Sequence, residues 1–163
     1  MQTKKLAILA LYATLSLAIY AAESMLPPLA PIPGFQLGLA NVITLILLLR
    51  YTPGEAALVL IVRIILSALL FGQAISLLYS LTGGILSLLV MGFSNKSLHG
   101  KFPQLTGAMG GLSHNIGQIL TAYFITATSG VLAYLPFLLP AGIITGLFTG
   151  SCALFADKRI PKQ

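Results

Sequence analysis

Apolar residues fill this chain in long runs, separated by short polar or proline-rich stretches. Most runs approach the roughly 20 residues that a helix needs to cross the ~30 Å hydrocarbon core of a membrane. We therefore predict a six-transmembrane-helix bundle. The expected helices are Leu6–Met25, Gln36–Arg50, Ala56–Phe71, Ile75–Phe93, Gln104–Ala127 and Val131–Phe155. Segment 27–34 contains four prolines and is predicted to be a stiff external loop, because proline fixes φ and lacks a backbone donor.

The composition supports the membrane class. Of 163 residues, 57% are hydrophobic and 7% are charged, whereas a soluble domain carries roughly 25% charged residues. We expect one integral membrane domain over residues 1–163. The first run could also pass for a signal peptide with a weak cleavage site at Ala22–Ser24. We interpret it as helix 1, because its small and polar residues form two distinct helical faces, which are described below.

Basic residues mark the ends of the apolar runs. Under a six-helix topology with both termini cytoplasmic, eight of them lie on the cytosolic side: Lys4, Lys5, Arg50, Lys96, Lys101, Lys158, Arg159 and Lys162. The three external loops then contain no Lys or Arg, as expected for a multi-pass protein of the cytoplasmic membrane that contacts lipid. The chain has no basic patch interleaved with exposed aromatics, so nucleic-acid binding is not expected.

The main polar group within the apolar runs lies in segment 107–121. At 100° per residue, five residues of this segment share one helical face: Gly107, Gly111, His114, Gln118 and Thr121. Unpaired polar groups are costly in lipid, so this face is predicted to line a cavity enclosed by protein. A lone histidine in such a setting is either a ligand contact or a structural hydrogen-bonding residue, and the sequence leaves both open.

Arg63 lies near the centre of helix 3, where inserting an arginine costs roughly 2.5–3.5 kcal/mol. We predict that it meets a polar or anionic group of a small-molecule ligand in an outward-opening pocket. The candidate ligand-binding residues are Glu23, Asn41, Arg63, Ser87, His114, Asn115, Gln118 and Thr121. The alternative is that backbone carbonyls, Asn115 or Glu23 neutralise Arg63 without a ligand.

Two stripes of small residues predict close helix packing. In helix 1, small residues recur every four positions: Ala10, Thr14, Ala18 and Ala22. A different face of this helix carries Tyr12, Ser16, Tyr20 and Glu23, so one helix can serve both a cavity and a docking partner, unless both faces pack inside the bundle. In helix 6, Gly142, Gly146 and Gly150 predict close contact with another helix.

Enzyme chemistry is not expected. The three acidic residues cannot supply a two-metal site, and the phosphate-cradling and nucleophile-elbow motifs are missing. One cysteine, Cys152, rules out an internal disulfide. We predict no catalytic residue, no metal and no cofactor.

Four stretches together resemble one family of small bacterial membrane proteins. They are Glu23–Pro28 with Pro33–Asn41, the arginine of Val62–Ile64, Leu81–Ser87, and Gly107–Gln118 with its H-N-x-G-Q block. This is the Gx transporter family, long labelled heptaprenyl diphosphate synthase component I. It is similar to the substrate-binding S-components of energy-coupling factor (ECF) vitamin transporters.

The resemblance implies six helices, an outward-facing pocket and an alanine-rich helix 1 that docks on a transmembrane coupling protein driven by an ATPase module. Thr14 departs mildly from the alanine pattern. Some relatives are encoded beside components of extracellular electron transfer or quinone synthesis, which implies a vitamin, flavin, or quinone or isoprenoid precursor as ligand. The alternative function is a non-catalytic accessory protein of prenyl diphosphate or menaquinone metabolism or of extracellular electron transfer.

Overall fold

The computed structural model describes residues 3–26, 36–71 and 74–159, and these form an all-α bundle. Within these ranges the elements are α1 Thr3–Ser24, α2 Asn41–Arg50, α3 Pro53–Phe71, α4 Ala74–Ser97, α5 Pro103–Thr126, a 3-10 helix Ser129–Tyr134, and α6 Leu135–Arg159. The prediction of an all-helical chain is confirmed. The predicted proline-rich loop and the turn at Gly72–Gln73 lie outside the described residues, as does Lys162.

Four helical stretches are long and apolar enough to cross a membrane. They are Thr3–Ser24, Pro53–Phe71, Ile75–Ser97 and Ser129–Arg159. The chain is therefore a multi-pass membrane protein by the length and composition of its helices. The remaining two helices differ from these four, each for its own reason. With ten residues, α2 rises only about 15 Å, half of the hydrocarbon thickness.

α5 is long, with 24 residues, but glycines and polar side chains make it less apolar than the four spans. It packs between α4 and α6, and more than half of its residues are buried. His114, Asn115 and Gln118 of α5 are buried, whereas Leu105, Met109, Leu120 and Phe124 form an exposed apolar face. Polar groups that face other helices do not face lipid, which explains why a polar segment can lie in an apolar bundle.

Glycines bring α5 and α6 into backbone contact. A Cβ built on Gly111 would lie 2.1 Å from the Gly142 carbonyl oxygen, and one on Gly107 would lie 2.3 Å from that of Gly146. A Cβ on Gly150 would lie 2.5 Å from Gln104 Cα. The expectation that Gly107 and Gly111 line a cavity is therefore wrong, because the backbone of α6 occupies that space.

Several predicted helix bounds differ from the structure. α2 begins at Asn41 rather than Gln36, because residues 36–40 are not helical and Gly38 has a φ of +79°. α4 continues to Ser97, beyond the predicted end at Phe93. α6 begins only at Leu135, after the 3-10 helix, so Pro136 lies in its first turn. The N–H groups of a first turn have no acceptor within the helix, so proline loses no hydrogen bond there.

Ion pairs join helix ends on one side of the bundle. Arg50 Nε donates to Asp157 Oδ1 at 2.8 Å, which connects α2 to α6. Lys5 pairs with Glu55 and connects α1 to α3. Asn95, near the end of α4, donates to the Leu48 carbonyl oxygen at 3.0 Å. The end of α2 therefore lies on the same side as the start of α1 and the ends of α4 and α6.

Candidate functional site

A buried guanidinium is the most unusual group of the bundle. The side chain of Arg63 on α3 is 2% exposed, and its Cζ lies 5.4 Å from the centroid of the Tyr20 ring. The Tyr20 hydroxyl in turn shares a 2.8 Å hydrogen bond with Ser76 Oγ on α4. Within the described ranges, Arg63 Nε has no hydrogen-bond partner. Three helices thus hold this cation against an aromatic face and leave one of its donors available.

Glu23 holds the segment that leads into α2. Its Oε1 accepts the Gly38 N–H at 2.7 Å and its Oε2 accepts the Leu39 N–H at 2.9 Å. The two ion pairs in the described part of the chain involve other residues, so Glu23 offsets the Arg63 charge electrostatically without touching it. Its carboxylate oxygens are already occupied by backbone, which favours a structural role over the predicted ligand contact.

Replacing Glu23 with Gln is expected to lower the free energy of unfolding by about 1.5–3 kcal/mol, the worth of a charge-assisted hydrogen bond. A neutral amide has one acceptor oxygen for two backbone donors, so one N–H would lose its partner. The change is measured as a lower midpoint of thermal unfolding in detergent. Glu55→Gln is the control, because Glu55 bonds Thr52 at the exposed end of α3 and surface pairs contribute only up to about 1 kcal/mol. Equal midpoints for the two variants would contradict this role.

A chain of hydrogen bonds fixes the imidazole of His114. The Gln36 backbone N–H donates to Gln118 Oε1 at 3.3 Å, so the other end of that amide carries the nitrogen. Gln118 Nε2 lies 3.1 Å from His114 Nε2 and must donate to it. The imidazole is therefore neutral, with its proton on Nδ1, and Nδ1 lies against the backbone of Gly83.

Two glycines from other segments flank the same imidazole. A Cβ on Gly38 would lie 2.8 Å from His114 Cδ2, and a Cβ on Gly83 would lie 2.9 Å from His114 Nδ1. Any side chain at either position would therefore displace the ring. From the sequence, Gly83 was noted within the Leu81–Ser87 stretch of the family resemblance, and no helical pattern placed it beside His114.

Asn41, the first residue of α2, has an unsatisfied side chain. It is 3% exposed, and neither Nδ2 nor Oδ1 has a hydrogen-bond partner in the described part of the chain. It is also close to the imidazole, because the position of a Cβ on Gly38 lies 3.0 Å from both Asn41 Nδ2 and His114 Nε2. The amide and the imidazole thus border the same space beside Gly38.

The other predicted ligand residues face neighbouring helices. Asn115 Nδ2 donates to the Leu138 carbonyl oxygen of α6 at 2.6 Å, although its Oδ1 has no partner. Thr121 bonds Thr82 of α4 and its own helix at Gly117. Ser87 is fully buried and lies beside Gly110, with its Oγ unpartnered. These contacts favour helix packing for Asn115 and Thr121.

α1 separates its two faces as the sequence pattern indicated. The small stripe, namely Ala10, Thr14, Ala18 and Ala22, is exposed along its whole length. The polar face with Tyr12, Ser16, Tyr20 and Glu23 is buried. The alternative in which both faces pack inside the bundle is therefore wrong. In the described ranges, no group of three His, Cys, Asp or Glu residues could hold a metal ion.

These features define a class of protein: a multi-pass helical membrane protein with a buried cluster of cationic, imidazole and amide groups. The model of one protein family, heptaprenyl diphosphate synthase component I, matches residues 12–155. The chain belongs to this family, as its sequence motifs indicated. No curated protein and no solved structure matches the chain.

Proposed function

We propose that this protein is the substrate-binding subunit of an ECF-type transporter in the bacterial cytoplasmic membrane. It would capture a small polar or anionic organic molecule from outside, such as a vitamin, a flavin, or a quinone or isoprenoid precursor. The observation that carries the proposal is Arg63. A guanidinium that is 2% exposed, has no ion-pair partner among the described residues and keeps an unpartnered Nε is costly in a membrane. An anionic ligand would offset that cost.

The distribution of charged residues supports the sidedness of this proposal. Lys5, Arg50 and Asn95 lie at one end of the bundle, through the contacts described above. With that end in the cytosol, the basic residues follow the positive-inside rule. Glu23 and Asn41, at the opposite ends of α1 and α2, then lie toward the outside. We propose six spans with both termini cytoplasmic, in which α2 completes its passage together with residues 36–40.

The exposed small stripe of α1 supports a partner. Small side chains let a second helix approach closely in lipid, and this stripe is not covered within the bundle. We propose that a transmembrane coupling protein docks there and connects the chain to an ATPase module. The residues of contact would be Ala10, Thr14, Ala18 and Ala22.

Replacing Ala18 with Leu is expected to abolish co-purification of a coupling subunit with the tagged protein, because the larger side chain keeps the helices apart. Recovery is measured by mass spectrometry of proteins captured from native membranes in mild detergent. Ser151→Leu is the matched control, since Ser151 is an exposed small residue on α6. Loss of the partner in both variants, or in neither, would argue against docking on α1.

The family itself favours a second function. Membership in heptaprenyl diphosphate synthase component I is compatible with a non-catalytic accessory protein of prenyl diphosphate or menaquinone metabolism or of extracellular electron transfer. This alternative predicts a quinone or prenyl chain bound after mild purification, and loss of quinone on deletion without any uptake defect. A water-soluble bound anion together with an uptake defect would favour the transporter.

A further inference from the structure

We propose that the molecule bound in this bundle carries two features: an acidic group, and an amide-type edge in which a carbonyl lies beside an N–H. Arg63 would bind the acidic group and Asn41 would pair with the edge. This inference rests on the proposed binding function and deepens it, because it names the chemical class. Amides, lactams, cyclic imides and ureides that bear a carboxylate or phosphate belong to the class.

The evidence for the amide-type edge is that neither Nδ2 nor Oδ1 of Asn41 has a hydrogen-bond partner among residues 3–26, 36–71 and 74–159. Each buried polar atom without a partner costs about 1–3 kcal/mol, and Asn41 has two of them. The other described asparagines with an unpartnered buried atom, Asn95 and Asn115, lack a partner only at Oδ1, because their Nδ2 atoms bond backbone carbonyls. Asn41 therefore keeps one donor and one acceptor side by side, and a carbonyl next to an N–H satisfies both at once.

The groups around Asn41 are held in place by close packing and hydrogen bonds. Gly38 packs against both the amide and the imidazole of His114, because a Cβ there would come within 3.0 Å of Asn41 Nδ2 and His114 Nε2. Two backbone N–H bonds to Glu23 hold this segment in place. The hydrogen bond with Gln118 fixes the orientation of His114, so the imidazole has a fixed position beside the Asn41 amide.

Helix α1 connects this part of the site to Arg63. The guanidinium lies over the ring of Tyr20, and Glu23, three residues further along α1, accepts the backbone N–H groups of Gly38 and Leu39. A neutral imidazole adds no second positive charge to the site. One end of a bound molecule would therefore meet a cation, whereas the other end would meet neutral hydrogen-bonding groups. A molecule with only an acidic group would leave Asn41 without a partner, and a molecule with only an amide-type edge would leave Arg63 without one.

The test uses the small molecule that co-purifies with the full-length protein from native membranes. Native mass spectrometry gives the mass of the adduct, and negative-ion fragmentation with deuterium exchange reports whether the released molecule contains an acid and an exchangeable N–H. We expect both. Asn41→Leu and Asn41→Asp are expected to reduce occupancy at least tenfold, since the first removes both hydrogen-bonding ends and the second removes the donor. Asn95→Leu, at the other end of the bundle, is expected to leave occupancy unchanged.

Thermal unfolding of the ligand-free protein separates binding from folding. Because Asn41 has no hydrogen-bond partner among the described residues, Asn41→Leu should leave the unfolding midpoint unchanged or raise it. A bound acid without an N–H beside a carbonyl, or full occupancy in both Asn41 variants, would overturn the inference while leaving capture by this chain intact. A wild-type protein without any adduct would instead count against the proposed binding function itself.

Discussion

Replacing Arg63 with Gln is expected to lower the affinity for an anionic ligand about 10- to 150-fold, which corresponds to a charge-assisted hydrogen bond of about 1.5–3 kcal/mol. The change removes the guanidinium, the buried cation of the site, but keeps a polar, although shorter, side chain. The measurement is occupancy of the co-purifying molecule by native mass spectrometry, followed by titration of the stripped protein with that molecule.

Two control variants distinguish an effect on the binding site from a general effect of losing a positive charge. Arg159→Gln removes a second arginine that also lies over an aromatic ring, 5.0 Å from the centroid of Phe155, but at the exposed end of α6. It should not change affinity. Arg63→Lys keeps the charge but loses the planar guanidinium and its Nε donor, so an intermediate affinity is expected. If Arg63→Gln bound as tightly as wild type, Arg63 would be a structural cation satisfied by Tyr20 and Glu23.

Replacing Gly111 with Ala is expected to lower the free energy of unfolding by about 3 kcal/mol, at the upper end of the cost of overpacking. The added Cβ would lie 2.1 Å from the Gly142 carbonyl oxygen, which is backbone and cannot rotate away as a side chain can. α5 and α6 would have to separate along their contact. The unfolding midpoint in detergent should fall by about 6–12 °C for a chain of this size.

Gly92→Ala is the matched control within α4. The nearest atom to its Cβ would be Leu48 Cδ2 at 3.9 Å, an ordinary van der Waals contact. Alanine is the better helix former by about 1 kcal/mol, so the midpoint should stay or rise slightly. A similar loss of stability in both variants would show that helix flexibility, and not the α5–α6 contact, governs the effect.

The sequence predicted the presence of the helices more accurately than the residues at which they begin and end. Apolar runs of membrane length identified α1, α3, α4 and α6 directly, because such length follows from the hydrocarbon thickness. The start of α2 was placed five residues too early. Leu37, Leu39 and Ala40 continue the apolar pattern, but the N–H groups of Gly38 and Leu39 bond the Glu23 carboxylate. No local pattern reveals such a contact, since the acid lies on another helix.

Helical periodicity also placed polar residues on a shared face without saying what lies opposite. The 100° periodicity placed Gly107 and Gly111 on the same helical face as His114 and Gln118, and this predicted one cavity along all four residues. In the bundle, the glycines meet the backbone of α6, whereas the imidazole meets Gly38 and Gly83. One face therefore serves two purposes along its length, and only the positions of the neighbouring helices distinguish them.

The sequence by itself determined the class: apolar length and scarce charge require a membrane bundle, and the family motifs agree with it. It also selected Arg63 and His114, because charged or polar groups in apolar helices are costly and need a reason. The tertiary structure alone decided which polar groups are already satisfied. Glu23 and Thr121 have partners on other segments, whereas Asn41 has none in the part of the chain that the structure describes. Hydrogen-bond satisfaction depends on distances between helices, which a sequence pattern does not contain.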